Sequence, residues 1–420
     1  MIHSRHLALT RRTALAGGSL AGLLLMAAPA LAQRSPANRR FLPARKLPNV
    51  DHAVVYRRQD DFAGWPHTSG FWNLGDGELL QTFMAIRTDY ASPDAISHDN
   101  IGRSSASAPM RSLTVRSTDH GRTWSRPVEG AMGVIDPAMK DAKALPDVAP
   151  VDFLDPNLLV ANGSTNFGMP DGRSFVRLSR DRGRKWSPPL PVPLEGLHSL
   201  SAINSTLVRP DGRALAFMIE VDESGWNRHP VVYASTDDGS AFHFLSFITP
   251  KADPMGAADG DWKSTYRFGG HRWFYPRGYL LPNGRILCVL RCQRDPTGVM
   301  WTEVFNSDDG GRTWGFLSRV NDFGAPGSLV VMPDGRLVMV YGYRLMPSGI
   351  RAQVSEDGGA TWGPELMVRE DGGSWDLGYP NAWAMPDGRV GVLYYFNSKD
   401  DRVQVNGGVR HIARSIFSID

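Results

Sequence analysis

Ser117-Thr118-Asp119-His120-Gly121-Arg122-Thr123-Trp124 is the stretch that decides the fold. Its pattern is Ser, any, Asp, any, Gly, any, any, aromatic. The pattern returns at Ser179, Asp181, Gly183 and Trp186, and more weakly at Ser235, Asp237, Gly239 and Phe242. It returns again at Ser307, Asp309, Gly311 and Trp314, and at Ser355, Asp357, Gly359 and Trp362. Asp and Ser side chains accept hydrogen bonds from backbone N–H groups just ahead of them and so hold a tight turn. Gly supplies the positive φ that such a turn needs. The aromatic ring covers the turn and buries a large apolar area. The chemistry of the motif is therefore structural rather than catalytic.

A second repeat is interleaved with the first. Turn signals sit between apolar runs at Gly75-Asp76-Gly77, Pro210-Asp211-Gly212-Arg213, Pro282-Asn283-Gly284-Arg285, Pro333-Asp334-Gly335-Arg336 and Pro386-Asp387-Gly388-Arg389. Asp155-Pro156-Asn157 fills the remaining place. Asp-Gly and Asn-Gly between strand-like runs are strong hairpin signals. The order is a hairpin turn and then a Ser-x-Asp turn, five times, with a sixth hairpin last. Two hairpins per unit make four strands, which is a propeller blade. The reading is an all-β, six-bladed β-propeller over residues 51–420. The last unit lacks its own Ser-x-Asp turn, and the strand-like Asp51–Tyr56 has no unit. That segment is expected to supply the outer strand of blade six, which closes the ring and removes an exposed edge.

Composition agrees with many short strands. The 420 residues include 44 Gly, 30 Pro and 12 Trp, with 42% hydrophobic residues, which excludes a disordered chain. The net charge is +3. The first 32 residues hold three Arg and no acid, leaving 43 basic against 43 acidic residues beyond them. Such a balance argues against a nucleic-acid partner.

Residues 1–32 read as an export signal. Arg11-Arg12 forms a twin-arginine pair, a Gly/Ala/Leu run follows, and Ala30-Leu31-Ala32 is a small-x-small cleavage site. The implied partner is the twin-arginine export machinery, and the implied location is periplasmic or secreted. Residues 33–50 read as a linker rich in Arg and Pro. A monomer is expected. The two cysteines, Cys288 and Cys292, fall on one strand-like run. Four residues of strand span about 13 Å, too far for a disulfide. No metal site or cofactor is expected, because neither zinc spacing nor a dense Asp/Asn loop occurs.

The five Asp-turn motifs, six blades and interleaved Asp-Gly hairpins resemble the sialidase (neuraminidase) superfamily over residues 51–420. The resemblance implies a site on the propeller axis. There, three arginines hold a substrate carboxylate, a Tyr activated by a Glu is the nucleophile, and an Asp is the acid/base. This use of Tyr is an exception to paired-carboxylate glycosidase chemistry. Tyr379, in Trp375-Asp376-Leu377-Gly378-Tyr379-Pro380, matches the nucleophile. Arg291 matches a clamp arginine after the fourth hairpin. Asp99, with Asp94 as second choice, falls in the segment expected to hold the acid/base. Two departures stand out. His67 occupies the place of the first clamp arginine, and the stretch Trp273–Tyr279 holds no Glu.

The residues also speak without the resemblance. The starts of inner strands offer His67, Asp152, Asn204, Arg277, Tyr379 and Asn381. The ends of second strands offer Arg87, Glu220, Arg291, Tyr343 and Arg344. Phosphate loops and nucleophile elbows are missing from the sequence. Guanidinium groups around an axis suit a carboxylate or sulfate, because their donors fork onto two oxygens. The expected catalytic set is Tyr379, Asp99 and His67, and the expected substrate-binding set is Arg87, Arg291, Arg277 and Arg344. The expected activity is exo-hydrolysis of an acidic sugar, sialic acid being the family default, from an oligosaccharide or glycoconjugate. Two alternatives stay open. One is a uronate lyase using His67, Tyr379 and Arg291; the other is a non-catalytic glycan-binding propeller.

Overall fold

The computed structural model describes residues 42–91, 110–130, 150–223, 228–249, 272–293 and 300–420. The export-signal reading of residues 1–32 lies outside them, as do Asp94, His98 and Asp99.

Among the described residues, six small sheets form the ring. A short strand β1 (Arg45–Lys46) and the closing strand β2 (Asp51–Tyr56) precede blade one. Blade one holds β3 (Asp61–Gly64), the single helical turn α1 (Pro66–Ser69), β4 (Phe71–Asn73), β5 (Leu79–Arg87), β6 (Arg111–Ser117) and β7 (Val128–Glu129). Blade two holds β8 (Leu159–Thr165), β9 (Arg173–Ser179) and β10 (Leu190–Pro191). Blade three holds β11 (Ser201–Val208), β12 (Ala214–Val221), β13 (Arg228–Ser235) and β14 (Phe242–Phe247). Blade four holds β15 (Arg272–Leu280), β16 (Ile286–Gln293), β17 (Met300–Ser307) and β18 (Gly315–Arg319). Blade five holds β19 (Gly324–Val331), β20 (Leu337–Tyr343), β21 (Gly349–Ser355) and β22 (Leu366–Arg369). Blade six holds β23 (Gly378–Ala384), β24 (Val390–Phe396) and β25 (His411–Phe417).

The closure expected from the sequence is present. β2 pairs antiparallel with β25, Asp51 opposite Ile416. One expectation needs correction, and one falls partly outside the described residues. Arg45–Lys46, read as linker, adds a parallel fifth strand to blade five, and Leu47 is buried in that blade's core. Blade two shows three strands among the described residues, so Asp155-Pro156-Asn157 turns into β8 without a described inner strand before it.

The core lies between blades rather than within them. Phe62 and Phe83 of blade one pack with Trp383 and Leu393 of blade six. Val338 and Val340 pack against Val390 and Val392. Trp273 packs with Phe217 and Trp301 between blades three and four. Each such side chain contributes roughly 1.5–3 kcal/mol by leaving water.

The Asp turns form as expected. Ser117 Oγ donates to Asp119 at 2.8 Å, Gly121 N donates to Ser117 Oγ at 2.8 Å, and Thr123 Oγ donates to Asp119 at 2.6 Å. The weak third copy shifts by one residue. There, Asp238 accepts from Thr236 Oγ at 2.6 Å and Ser240 N at 3.0 Å, while Asp237 pairs with Arg213 at the surface. Cys288 and Cys292 are buried on β16 and form no disulfide.

Candidate functional site

The inner strands are distorted at the end opposite the hairpin turns. Register shifts interrupt β11 between Ala202 and Thr206, β15 between Phe274 and Arg277, β19 between Gly324 and Gly327, and β23 between Gly378 and Asn381. Blade one replaces the bulge by α1. Bulges re-aim side chains, and they concentrate beside functional sites.

Three of these tips share a local plan. Trp65-Pro66-His67, Tyr275-Pro276-Arg277 and Tyr379-Pro380-Asn381 each place an aromatic residue at positive φ, 54°, 55° and 50°, before a proline. Pro disfavours α geometry in the preceding residue, and left-handed φ in a bulky residue is uncommon and strained. The tip of β23 also needs a bare backbone. A Cβ on Gly378 would lie 2.7 Å from the Cα of Gly342 in blade five. The aromatic of each tip and the residue after its proline go to different places.

The residues after the prolines interlock below the site. Arg277 Nη2 donates to the carbonyls of His67 at 2.7 Å and Asn204 at 3.3 Å, and its Nη1 donates to Asn381 Oδ1. Asn381 Nδ2 donates to the Pro66 carbonyl at 2.9 Å and to Gln81 Oε1 at 2.8 Å. His67 Nδ1 lies 2.8 Å from the Pro380 carbonyl. A carbonyl only accepts, so Nδ1 carries the proton, and Arg277 Nη1, 3.4 Å from it, merely packs there. His67 Nε2 is then a buried lone pair without a partner among the described residues. Burial, reinforced by the Arg277 charge, holds the His67 pKa well below its ordinary value. The imidazole stays neutral.

The aromatics face a cavity of about 360 Å3. Trp65, Met84, Phe167, Phe175, Tyr275 and Tyr379 are among the residues that line it. Phe167 stacks on Tyr275 at 5.8 Å and 20°. The phenols of Tyr275 and Tyr379 are hydrogen-bonded at 3.1 Å, and Arg291 Nη1 donates to the Tyr379 oxygen at 2.9 Å. Arg291 Nη2 donates to Gln293 at 2.8 Å. Burial works against the Arg291 charge, but the neighbouring Tyr379 and Tyr275 phenols outweigh it and its pKa moves up. Burial, with the neighbouring Tyr379, pushes the Tyr275 phenol up. Arg228 stacks 4.5 Å over Phe274, and burial lowers its pKa to about 10. The Arg344 guanidinium sits 5.6 Å from the Tyr379 ring, with Nε on the Ala325 carbonyl at 3.1 Å and Nη1 on the Trp375 carbonyl at 2.9 Å. Arg291 and Arg344 have no carboxylate partner among the described residues, which is unusual for buried cations.

The expected site residues thus divide. Tyr379, Arg291 and Arg344 come together. His67 and Arg277 do not join them; they form the floor, with His67 Nδ1 and Arg277 Nη2 on backbone carbonyls and Arg277 Nη1 on Asn381. Arg87 lies at the rim of blade one, where it pairs with Asp60 and the buried Asp61. Its guanidinium is matched by acids rather than poised for a ligand. Asp99 lies outside the described residues. Tyr275 and Arg228 were missed in the sequence reading. The signal for Tyr275 was the aromatic-Pro pair repeated across blades one, four and six. A wider depression of about 660 Å3 opens at the hairpin end, but Asp155 and Arg209 are its sole ionisable lining residues. Arg209 is already paired with Asp211, so that depression holds no converging chemistry.

No family model matches the chain, and no curated protein matches it. Solved structures do. A Dyadobacter fermentans protein of unknown function aligns with TM-score 0.61 and 23% identity over 89% of this chain and all of its own. The Hadza microbial sialidase Hz136 aligns with TM-score 0.51 and 19% identity, over 85% of this chain and 66% of its own. The sialidase of Trypanosoma rangeli aligns with TM-score 0.52 and 15% identity, over 88% of this chain and 60% of its own. The chain therefore spans about two thirds of the length of these two sialidases. The protein is a sialidase-like six-bladed β-propeller. Identities this low speak to the fold, and function rests on the site.

Proposed function

We propose that this protein is an exo-acting glycoside hydrolase that releases an acidic sugar. One observation carries the reading. Tyr379 lines an apolar-walled cavity, and its phenol oxygen accepts a hydrogen bond from a buried arginine that has no carboxylate partner among the described residues. A buried cation without a counter-ion is costly. A ligand carboxylate at Arg291 and Arg344 offsets that cost and adds charge-assisted hydrogen bonds. Sialic acid is the default acid.

In the proposed reaction the Tyr379 oxygen attacks the anomeric carbon while the bond to the leaving oxygen breaks. A neutral phenol suits this role, since a carboxylate nucleophile would repel an anionic sugar. Arg291 stabilises phenolate character as the phenol proton passes through the Tyr275 hydroxyl to water, from which the tyrosyl oxygen recovers it when it is displaced. The leaving oxygen takes a proton from a general acid, the role expected of Asp99. Water then displaces the tyrosyl oxygen from the anomeric carbon and frees the sugar. His67 is unsuited to acid/base work, because it is fully buried, is not among the cavity-lining residues, and its Nδ1 proton is bound to Pro380. The lyase built on His67 and Tyr379 loses its base.

A second reading is favoured by one contact. The hydrogen-bond partners of the Tyr379 phenol are Tyr275 and Arg291, with no carboxylate among them. A non-catalytic propeller that only binds acidic glycans would keep the arginines and have no use for a base. A product assay on sialyl and uronyl glycans with wild type and Tyr379→Phe separates the two. Release of free acidic sugar by wild type and its loss in the variant supports the hydrolase. Binding of the glycans by both proteins without product overturns it in favour of the binding module.

A further inference from the structure

The backbone reaches Tyr379 differently from the other two aromatic tips. Trp65 directly follows β3, and Tyr275 lies within β15, where Phe274 pairs with Arg291 on β16. A strand ladder fixes the chain there. Residues 374–377, just ahead of the Tyr379 tip, lie outside the strands. Side chains hold them instead. Ser348 Oγ donates to the Ser374 carbonyl at 2.9 Å, Arg344 Nη1 to that of Trp375 at 2.9 Å, and Asn397 Nδ2 to that of Asp376 at 2.7 Å. The Asp376 carboxyl group is buried. It accepts from the Tyr395 phenol and from Arg410 Nε and Nη2, the last two at 3.3 Å. Arg410 is 2% exposed and also donates to Ser374 Oγ at 3.2 Å and to the Gly408 carbonyl at 2.8 Å.

We propose that Asp376 is a positioning residue: locked by Arg410 and Tyr395, it sets the backbone that carries Tyr379 and, one residue back, the carbonyl that seats Arg344. This inference rests on the proposed acid-sugar hydrolase. Tyr379 sits at φ 50°, a strained conformation for a bulky residue that persists only where its surroundings over-determine it. No ladder constrains the chain ahead of Gly378, so the side-chain bonds supply the constraint. Tyr395 joins the cluster to the proposed nucleophile. Its phenol is on Asp376, and its ring meets that of Tyr379 at 5.6 Å and 66°. Stability alone is a weak reason for the buried pair. Desolvating two charges costs about as much as their attraction returns, and apolar residues of similar volume often replace such a pair without loss. An apolar pair lacks direction. Three donors held in place around one carboxyl group select one placement of the Asp376 backbone. A reacting group displaced by about 1 Å loses roughly 100-fold in rate.

The test measures hydrolysis of sialyllactose by the full chain, with kcat expressed per folded molecule and the folded fraction read from denaturation curves. The double variant Asp376→Leu with Arg410→Met replaces the ion pair by apolar groups. Its melting temperature is expected to stay close to that of wild type, while kcat per folded molecule falls roughly 10–100-fold. KM is expected to move less than kcat, because Arg291 is untouched. Tyr395→Phe keeps the ring beside Tyr379 and loses the bond to Asp376. Its kcat is expected to fall by a smaller factor with the melt unchanged, and it decides the matter if the double variant does not fold. Wild-type kcat per folded molecule in Tyr395→Phe, or in a folded double variant, would overturn the positioning role and leave the hydrolase standing. Wild-type protein that binds sialyllactose and releases no acidic sugar would overturn the hydrolase reading, and the positioning role with it.

Discussion

At the turn end of the propeller, Asp309 accepts from Ser307, Thr313 and two further backbone N–H groups, and arginines there pair with acids, as Arg285 does with Asp308 and Arg182 with Glu78. At the axial end, Arg291 donates to a phenol and an amide, and Arg344 to two backbone carbonyls, with no carboxylate on either among the described residues. Both ends are built by the same blades. The turn end is electrostatically closed and serves the fold. At the axial end, Arg291 and Arg344 carry buried charge with no carboxylate partner among the described residues, an arrangement that folding alone would disfavour. The difference locates function more surely than cavity size, since the wider depression lies at the closed end.

The largest effect should come from breaking the open end. Arg291→Met keeps much of the side-chain volume and removes the charge. It is expected to lower affinity for an acidic glycan roughly 10–100-fold, the value of a charge-assisted hydrogen-bonded pair. The melting temperature should hold or rise, because a buried unpaired cation is removed. Titration and thermal melts read the two quantities. Unchanged affinity would remove Arg291 from the clamp and with it the contrast between the ends.

Arg277→Met should behave in the opposite way. It strips donors from the His67 and Asn204 carbonyls and from Asn381, all buried. The expected cost is about 3 kcal/mol or more of stability by chemical denaturation. Affinity per folded molecule should change far less than in Arg291→Met. A variant that melts like wild type but fails to bind would return Arg277 to the ligand and sink its assignment to the floor.

These two arginines also show what the sequence could and could not convey. The propeller was legible because its signals are local and repeated. Ser117 to Trp124 carries a whole turn within eight residues, and the Asp-Gly hairpins mark the next. The closing strand was legible as a unit without a partner. Arg291 and Arg277 look alike as cations in apolar runs, and only packing separates them. Arg277 reaches the carbonyl of His67, 210 residues away, and Asn381 reaches that of Pro66, 315 residues away. Spacing along the chain cannot show such contacts. Blade two is described for three strands, and the stretch before its Asp155 turn signal lies largely outside the described residues.

Buried neutral histidines set a smaller, pH-dependent effect. His411 donates to the Val409 carbonyl at 3.0 Å, and burial lowers its pKa to about 4 from 6.5. The folded protein therefore binds fewer protons than the unfolded chain between those values. Stability from this group is full above pH 6.5 and falls as pH drops toward 4, by roughly 3 kcal/mol in the limit. His67 acts with the same sign. Denaturation measured across that range should show the slope reduced in His411→Phe. An equal slope in the variant would mean that His411 does not contribute to acid sensitivity.

The smallest effect sharpens the closed end. The sequence pattern assigns the third turn to Asp237, but the structure gives its hydrogen bonds to Asp238. Those bonds hold the Asp238 carboxyl at about 2, below the usual carboxylate range, whereas Asp237 makes one exposed pair with Arg213. Exposed pairs contribute little, since solvent screens them and two long side chains must be ordered. Asp238→Ala should therefore give a small but resolvable fall in melting temperature, and Asp237→Ala none. Neither change should alter glycan affinity, because both residues sit at the turn end, opposite the axial site. A reversed order of the two melts would restore the register of the sequence motif. A change in affinity from either one would show that the two ends are coupled through blade three, and that the separation of fold from function between them is incomplete.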